Sequence, residues 1–262
     1  MFHWLTERRR RQLLEQPFPE AWTEIMERAV PMVRRLDIEL HDRLRDLIHV
    51  FVHEKHWEGC GGLELSDEHR VVIATQACML LVGVNDHDLF AGAISILVYP
   101  STVVIPRRVP GVFELPPTIP AQEAAILGQA FKHGAVILAW DRAAAGARDA
   151  DEPNNVVLHE FAHEIDMHDG AADGTPPLVS AGARRTWVAA CEPAFLALRA
   201  ATERGELAFL DAYGATNEAE FFAVATESYF ARPRAMAEAM PALFAVLRAF
   251  FRVELAPVQA RS

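Results

Sequence analysis

The spacing of apolar positions along the chain predicts helices for most of its length, with a few short extended runs between them. Leu5 to Gln16 is a polar helix that stops at Pro17-Phe18-Pro19. Glu20 to Val30 is a second helix. From Pro31 to Val52, Leu36, Leu40, Leu44, Leu47 and Phe51 recur at helical spacing and predict one long amphipathic helix. Gly59-Cys60-Gly61-Gly62 breaks the chain, and Asp67 to Val82 is helical and mostly buried. The period then changes. Ile94 to Pro100 and Thr102 to Pro106 are β segments bounded by prolines, Val109 to Pro120 is a proline-rich loop or irregular strand, and Ala135 to Asp141 is a strand. Arg142 to Ala150, small and polar, reads as a surface connection. Val157, Phe161 and Ile165 then repeat every four residues, the core-facing stripe of a helix. Asp151 is its expected N-cap, Pro153 suits its first turn and Gly170 its stop. Beyond the loop Ala171 to Pro177, Gly182 to Arg204 is a helix kinked or broken at Pro193. Glu218 to Phe230 is another, closed by Arg232-Pro233. Met236 to Phe251 is the last, interrupted near Pro241. No internal repeat is visible.

Composition narrows the class. The 262 residues, 51% hydrophobic and 23% charged, can bury a large core and do not describe a disordered chain. The expected organisation is a single domain over 1–262, with a mainly helical part at 1–60 and a loose tail at 256–262. The formal net charge of −11 speaks against direct nucleic-acid binding, which needs basic surface. No apolar run is long enough to cross a bilayer, and the first residues lack the apolar core of a signal peptide. Arg8 to Arg11 reads as a solvated helix face. Cys60, Cys78 and Cys191 are few, odd in number and far apart, which predicts a cytoplasmic chain without disulfides. His53, His56 and His69 flank loops among acidic residues and are expected at the surface.

Within the apolar-striped helix stands His159-Glu160-Phe161-Ala162-His163. Residues four apart share a helix face, so His159 and His163 can bind one Zn2+. Glu160, one step round, can serve as the base for a water acidified by the metal. Asp166 lies two turns beyond His159 on that face. It is either a carboxylate orienting an imidazole or an ordinary polar residue near a helix end. Catalytic zinc needs a third ligand. The positions that would complete a three-histidine pattern hold Asp166 and Asp169, so a later acid must serve. Glu220 is the first candidate and Glu227, two turns on, the reserve. Glu164 points away from the His159 face. Asn217-x-x-Glu220 is also a capping-box pattern, and spacing alone leaves both readings of Glu220 open.

These blocks resemble known enzymes. His159-Glu160-x-x-His163, Asp166, Gly170 and Tyr213-Gly214-x-Thr216-Asn217-Glu218-Ala219-Glu220-Phe221-Phe222-Ala223 resemble the catalytic domain of anthrax lethal factor. A longer likeness, from the Leu36–Gly62 region through Gln76-Ala77-Cys78, Gly128-Gln129-Ala130 and Ile137 to Asp141 to the Glu220 helix, is to the bacterial Mlc titration factor A family of zinc peptidases. That resemblance implies a mainly helical α+β zincin-like (gluzincin) fold, with a small sheet beside the histidine helix. It implies Zn2+ held by His159, His163 and Glu220, with Glu160 as base and Asp166 behind a ligand. It also implies Tyr213 as a hydrogen-bond donor to the oxyanion. The implied partners are a peptide or protein substrate and an Mlc-type transcriptional repressor. The alternative is a protein that sequesters such a regulator and cleaves peptides only incidentally. The Ala135–Trp140 strand is expected at the sheet edge, where a substrate could add by main-chain hydrogen bonds.

Overall fold

In a computed structural model, the described residues are 3–84, 88–101, 103–104, 125–126, 128–131 and 134–255. The expected loop at Val109–Pro120 and the tail from Ala256 lie outside them. Ten helices and six strands are present among the described residues. The helices are α1 (His3–Leu14), α2 (Glu20–Ala29), α3 (Ile38–Glu54), α4 (Asp67–Met79), α5 (Trp140–Arg148), α6 (Val156–Asp166), α7 (Ala181–Glu203), α8 (Glu218–Ala231), α9 (Pro233–Ala239) and α10 (Pro241–Phe251). The strands are β1 (His56–Gly59), β2 (Ser95–Tyr99), β3 (Val103–Val104), β4 (Ala125–Ile126), β5 (Gly128–Phe131) and β6 (Ala135–Ala139). The fold is α+β and mainly helical. No helix among the described residues is long and apolar enough to cross a membrane.

The main sheet has the order β1-β2-β6-β5. β1, β2 and β6 run parallel, and β5 runs antiparallel to β6, with Ile137 opposite Gln129. This corrects the edge placement of the Ala135–Trp140 segment: β6 is central, paired on both sides, and Trp140 already belongs to α5. Such a strand, buried on both faces, carries continuous apolar residues, and Val136, Ile137, Leu138 and Ala139 are all buried. The terminal strand that packs against α6 is β5.

Four further departures are local. The long helix expected over Pro31–Val52 is split. Pro31–Arg35 forms a 3-10 turn, Leu36 is extended, and Asp37 starts α3 afresh by accepting the Leu40 N–H at 2.9 Å. The connection expected at Arg142–Ala150 is α5, whose small Ala143, Ala144 and Ala147 let it lie close against its neighbours. α7 is continuous over Ala181–Glu203, so of the two alternatives at Pro193 the break is excluded. Within the arginine run, Arg10 is no solvated residue: it makes a two-pronged ion pair with Glu54, at 2.7 and 2.9 Å, and reaches Asp88 at 2.8 Å, tying α1 to α3. Arg8 and Arg9 are exposed.

One large core joins these elements. Phe161 of α6 meets Phe51 of α3 edge-on at 5.5 Å and Phe90 at 4.7 Å. Tyr229 and Phe230 of α8 pack with Phe251 of α10, and the Tyr229 hydroxyl donates to the Val253 carbonyl at 2.6 Å. The buried guanidinium of Arg35 donates to the carbonyls of Phe230 and Ala231, closing the last turn of α8, and to Asp151 at 2.6 Å. The core therefore grips α6 and α8, the two helices that carry the site, along their lengths.

Candidate metal centre and active site

Asn155 starts α6. Its side-chain oxygen accepts the N–H groups of Val157 at 3.1 Å and Leu158 at 3.0 Å. Asp151, the expected cap, is four residues further out and is taken by Arg35. From this start, Val157, Leu158, Phe161, Ala162 and Ile165 fall on the buried side. His159 and His163 fall on the other, their rings perpendicular and 4.8 Å apart. The helix ends at Asp166, a 3-10 turn follows, and Gly170 closes it with φ of 90°, a conformation that favours glycine.

α8 brings the acid. The Asn217 side chain caps it by accepting the Glu220 N–H at 2.9 Å. That is one half of a capping box. The Glu220 carboxylate turns instead to α6, its Oε2 lying 3.0 Å from His159 Nε2 and 3.4 Å from His163 Nε2. One ligand atom from each residue lies within 4.8 Å of the other two, and among the described residues no other group of three acids, histidines or cysteines does so. His53 and His56 are exposed. His69 accepts the Ser66 N–H at 3.1 Å as part of the α4 cap.

A residue that the sequence offered only as a reserve ligand completes the arrangement. Glu227 lies seven residues beyond Glu220, two turns along the same face, and that period was the signal for it. The residue is 5% exposed. Oε1 takes His159 Nδ1–H at 2.8 Å, and Oε2 takes the Asn155 backbone N–H at 2.6 Å. An ionised carboxylate only accepts, so the Nδ1 proton is fixed and Nε2 is the nitrogen left for a metal. This is the observation by which the residues fit zinc: two imidazoles with outward Nε2 atoms, one carboxylate, and a buried acid fixing a tautomer.

The electrostatics follow from the crowding. Burial works against the charged form of His159, but hydrogen bonds to Glu220 and Glu227 outweigh it and hold its pKa at about 10. Burial likewise disfavours the Glu220 carboxylate. The hydrogen bonds from His159 and His163 dominate and draw its pKa to about 2. Burial pushes the Glu227 carboxyl up, against its bond from His159.

Around this group, Glu160 is buried and lies close enough to act electrostatically on His159 and Tyr213. Tyr213 comes from a 3-10 turn, Ala212–Ala215, started by Asp211 accepting the Tyr213 N–H at 2.8 Å. Its ring is half exposed, 5.9 Å from that of His159, and its hydroxyl donates to Glu220 Oε1 at 3.3 Å. Burial and the Glu220 charge push its pKa to about 12, so it stays a donor. Asp166 is buried, and its Oδ1 takes the Thr175 N–H at 2.9 Å, with Gly174 also donating. It thereby holds the Ala171–Pro177 loop to the end of α6. Burial raises its pKa to about 6. Glu164 is buried on the far side of α6, next to Gly92 and in the field of Lys55.

The family model for glucose-regulated metallo-peptidase M90 matches residues 4–252. An uncharacterised protein of Synechocystis is 32% identical over 256 residues, covering 96% of this chain and 90% of its own length. Mlc titration factor A of Edwardsiella ictaluri is 30% identical over 247 residues, 90% of this chain and 87% of its own. Mlc titration factor A of Klebsiella pneumoniae is 28% identical over 230 residues, 86% and 83% respectively.

Proposed function

The chain belongs to the glucose-regulated metallo-peptidase M90 family, and from that premise we propose that it is a zinc-dependent peptidase of zincin-like architecture. The observation that carries the reading is the convergence of His159 Nε2, His163 Nε2 and the Glu220 carboxylate, with Glu227 fixing the His159 tautomer and Glu160 alongside. His159, His163 and Glu220 would hold the ion. When bound, zinc supplies Lewis-acid chemistry, lowering the pKa of water and polarising a carbonyl. Three ligands and no cysteine among them argue for a catalytic rather than a structural site, since structural zinc is usually closed by four.

The protein's own groups do the rest. Glu160, on the helix between the two histidines, takes the proton of the attacking water and passes it to the leaving amine. The Tyr213 phenol, neutral at ordinary pH, donates a hydrogen bond to the oxyanion as it forms. Asp166 acts on the site indirectly, by holding the loop that follows α6. The relatives' name carries Mlc, and a repressor of that type is the regulatory partner we propose. A cytoplasmic location belongs to the same reading and is supported by three cysteines that are all unpaired.

Zinc analysis with a peptide-library cleavage assay on wild type and Glu160→Gln tests the reading. The expected result is stoichiometric zinc in both and cleavage by wild type alone. Undiminished cleavage by Glu160→Gln would remove Glu160 as the base. A regulatory effect that survives in Glu160→Gln cells would favour sequestration of the regulator over proteolysis.

A further inference from the structure

Behind the His159–Glu227 pair lies a chain of buried amides that no step of hydrolysis uses. Asn155 is 1% exposed and Gln76, on α4, is fully buried. The Asn155 oxygen is committed to the N–H groups of Val157 and Leu158. Its Nδ2 must therefore face the other way, where it donates to Gln76 Oε1 at 2.9 Å and to the Gly146 carbonyl at 3.2 Å. Gln76 Oε1 is thereby fixed as acceptor, and its Nε2 donates to the carbonyls of Val72 at 3.0 Å and Ala143 at 3.3 Å. Each amide has one allowed orientation, because turning either would set donor against donor. The same Asn155 presents its backbone N–H to Glu227 Oε2 at 2.6 Å.

A cap alone does not need this. Ser or Asp starts a helix as well as Asn, with no partner on a distant helix. Here the partner lies 79 positions away in sequence. Room for it has also been left. A Cβ on Gly146 would stand 3.1 Å from both Asn155 Cα and Cγ, tighter than ordinary packing. Helices α4, α5, α6 and α8 thus all bear on the position of one carboxylate oxygen.

We propose that Gln76 and Asn155 are positioning residues for the metal: through Glu227 they fix where His159 Nε2 points, and so set metal affinity. This rests on the zinc-peptidase reading. Its effect travels from α4 by way of Asn155 and Glu227, and neither amide touches the ion or the substrate.

The test uses the full chain stripped of metal, with zinc affinity read by chelator competition and the cobalt-substituted protein read by its visible spectrum. Gln76→Leu removes the acceptor for Asn155 Nδ2. Asn155→Asp keeps the cap and reverses the polarity toward Gln76, so it serves even if the leucine variant folds poorly. Leu247→Ala, a core truncation in α10, sets the baseline for lost stability alone. Both amide variants should weaken zinc binding 10- to 100-fold, the range typical of groups behind a metal ligand, and shift the cobalt spectrum. Leu247→Ala should do neither. If wild type binds zinc tightly and both amide variants bind within twofold of it, this inference falls and the peptidase reading stands. If wild type takes up no zinc, both fall.

Discussion

Glu227→Gln changes hydrogen-bonding capacity at the centre with almost no change in volume. Both oxygens of the native carboxylate accept, one from His159 Nδ1–H at 2.8 Å and one from the Asn155 N–H at 2.6 Å. A glutamine side chain accepts through its oxygen alone and donates through its nitrogen. The backbone N–H cannot change role, so the amide oxygen takes it and the NH2 group meets His159 Nδ1. The imidazole relieves that conflict by carrying its proton on Nε2, the atom that faces Glu220 and His163. A protonated Nε2 does not bind metal. The expected loss of zinc affinity is about 10- to 100-fold, or roughly 1.4–2.8 kcal/mol. The metal-free variant should also lose about 1.5–3 kcal/mol of folding stability, the usual worth of a hydrogen bond to a charged group. Chelator competition measures the first and urea unfolding the second. Glu227→Asp, which still only accepts but is one methylene shorter, should fall between the two. Native zinc affinity in Glu227→Gln would refute the tautomer argument.

Tyr213→Phe should lower kcat by about 10²–10³ with KM little changed, the scale seen when one oxyanion donor is removed. Thermal stability should hold, because the hydroxyl lost is at a half-exposed position; an unchanged kcat would strip Tyr213 of its role. The metal-free protein should lose stability as pH rises. The His159 pKa is raised to about 10, so its contribution is complete below about 6.5, the unfolded value, and is lost as pH climbs through the folded one. Glu220, lowered to about 2, contributes above the usual carboxylate range and is lost as pH falls toward that value. Melting temperature should therefore begin to fall as Asp166, raised to about 6 by burial, ionises, and decline further above about pH 6.5 as the His159 contribution is lost; a rise between pH 7 and 10 would contradict the pairing. Arg10→Ala should cost about 1 kcal/mol by releasing Glu54 and Asp88 and expose α1 to proteolysis, with zinc affinity unchanged.

The chemistry was more legible than the topology. His159, Glu160 and His163 are readable because a helix imposes their spacing, whatever packs around it. Glu220 was ambiguous because Asn217-x-x-Glu220 serves a cap and a ligand equally, and only tertiary packing turns the carboxylate toward α6. Asn155 went unread because Pro153 drew the helix start outward to Asp151, although an asparagine directly before the apolar stripe carried the right signal. The position of β6 in its sheet depends on β5 pairing outside it, a long-range fact that local alternation does not encode. α5 was hidden for another reason: alanines and a glycine look like a linker until neighbouring helices approach closely enough to use their small size. β1 has only four residues, mostly exposed, and no alternation to betray it.

The His159–Glu220 contact spans 61 positions of sequence. A ribosome therefore releases both imidazoles well before the acid that joins them. Until α8 docks, the nascent protein offers only two of the three residues proposed as ligands, so on the zinc-peptidase reading firm capture waits for the C-terminal helices. An ion that binds the finished state alone would favour it over every earlier one, by RT ln(1 + [L]/Kd). On that reading, docking of α8 and tight metal binding would stabilise each other.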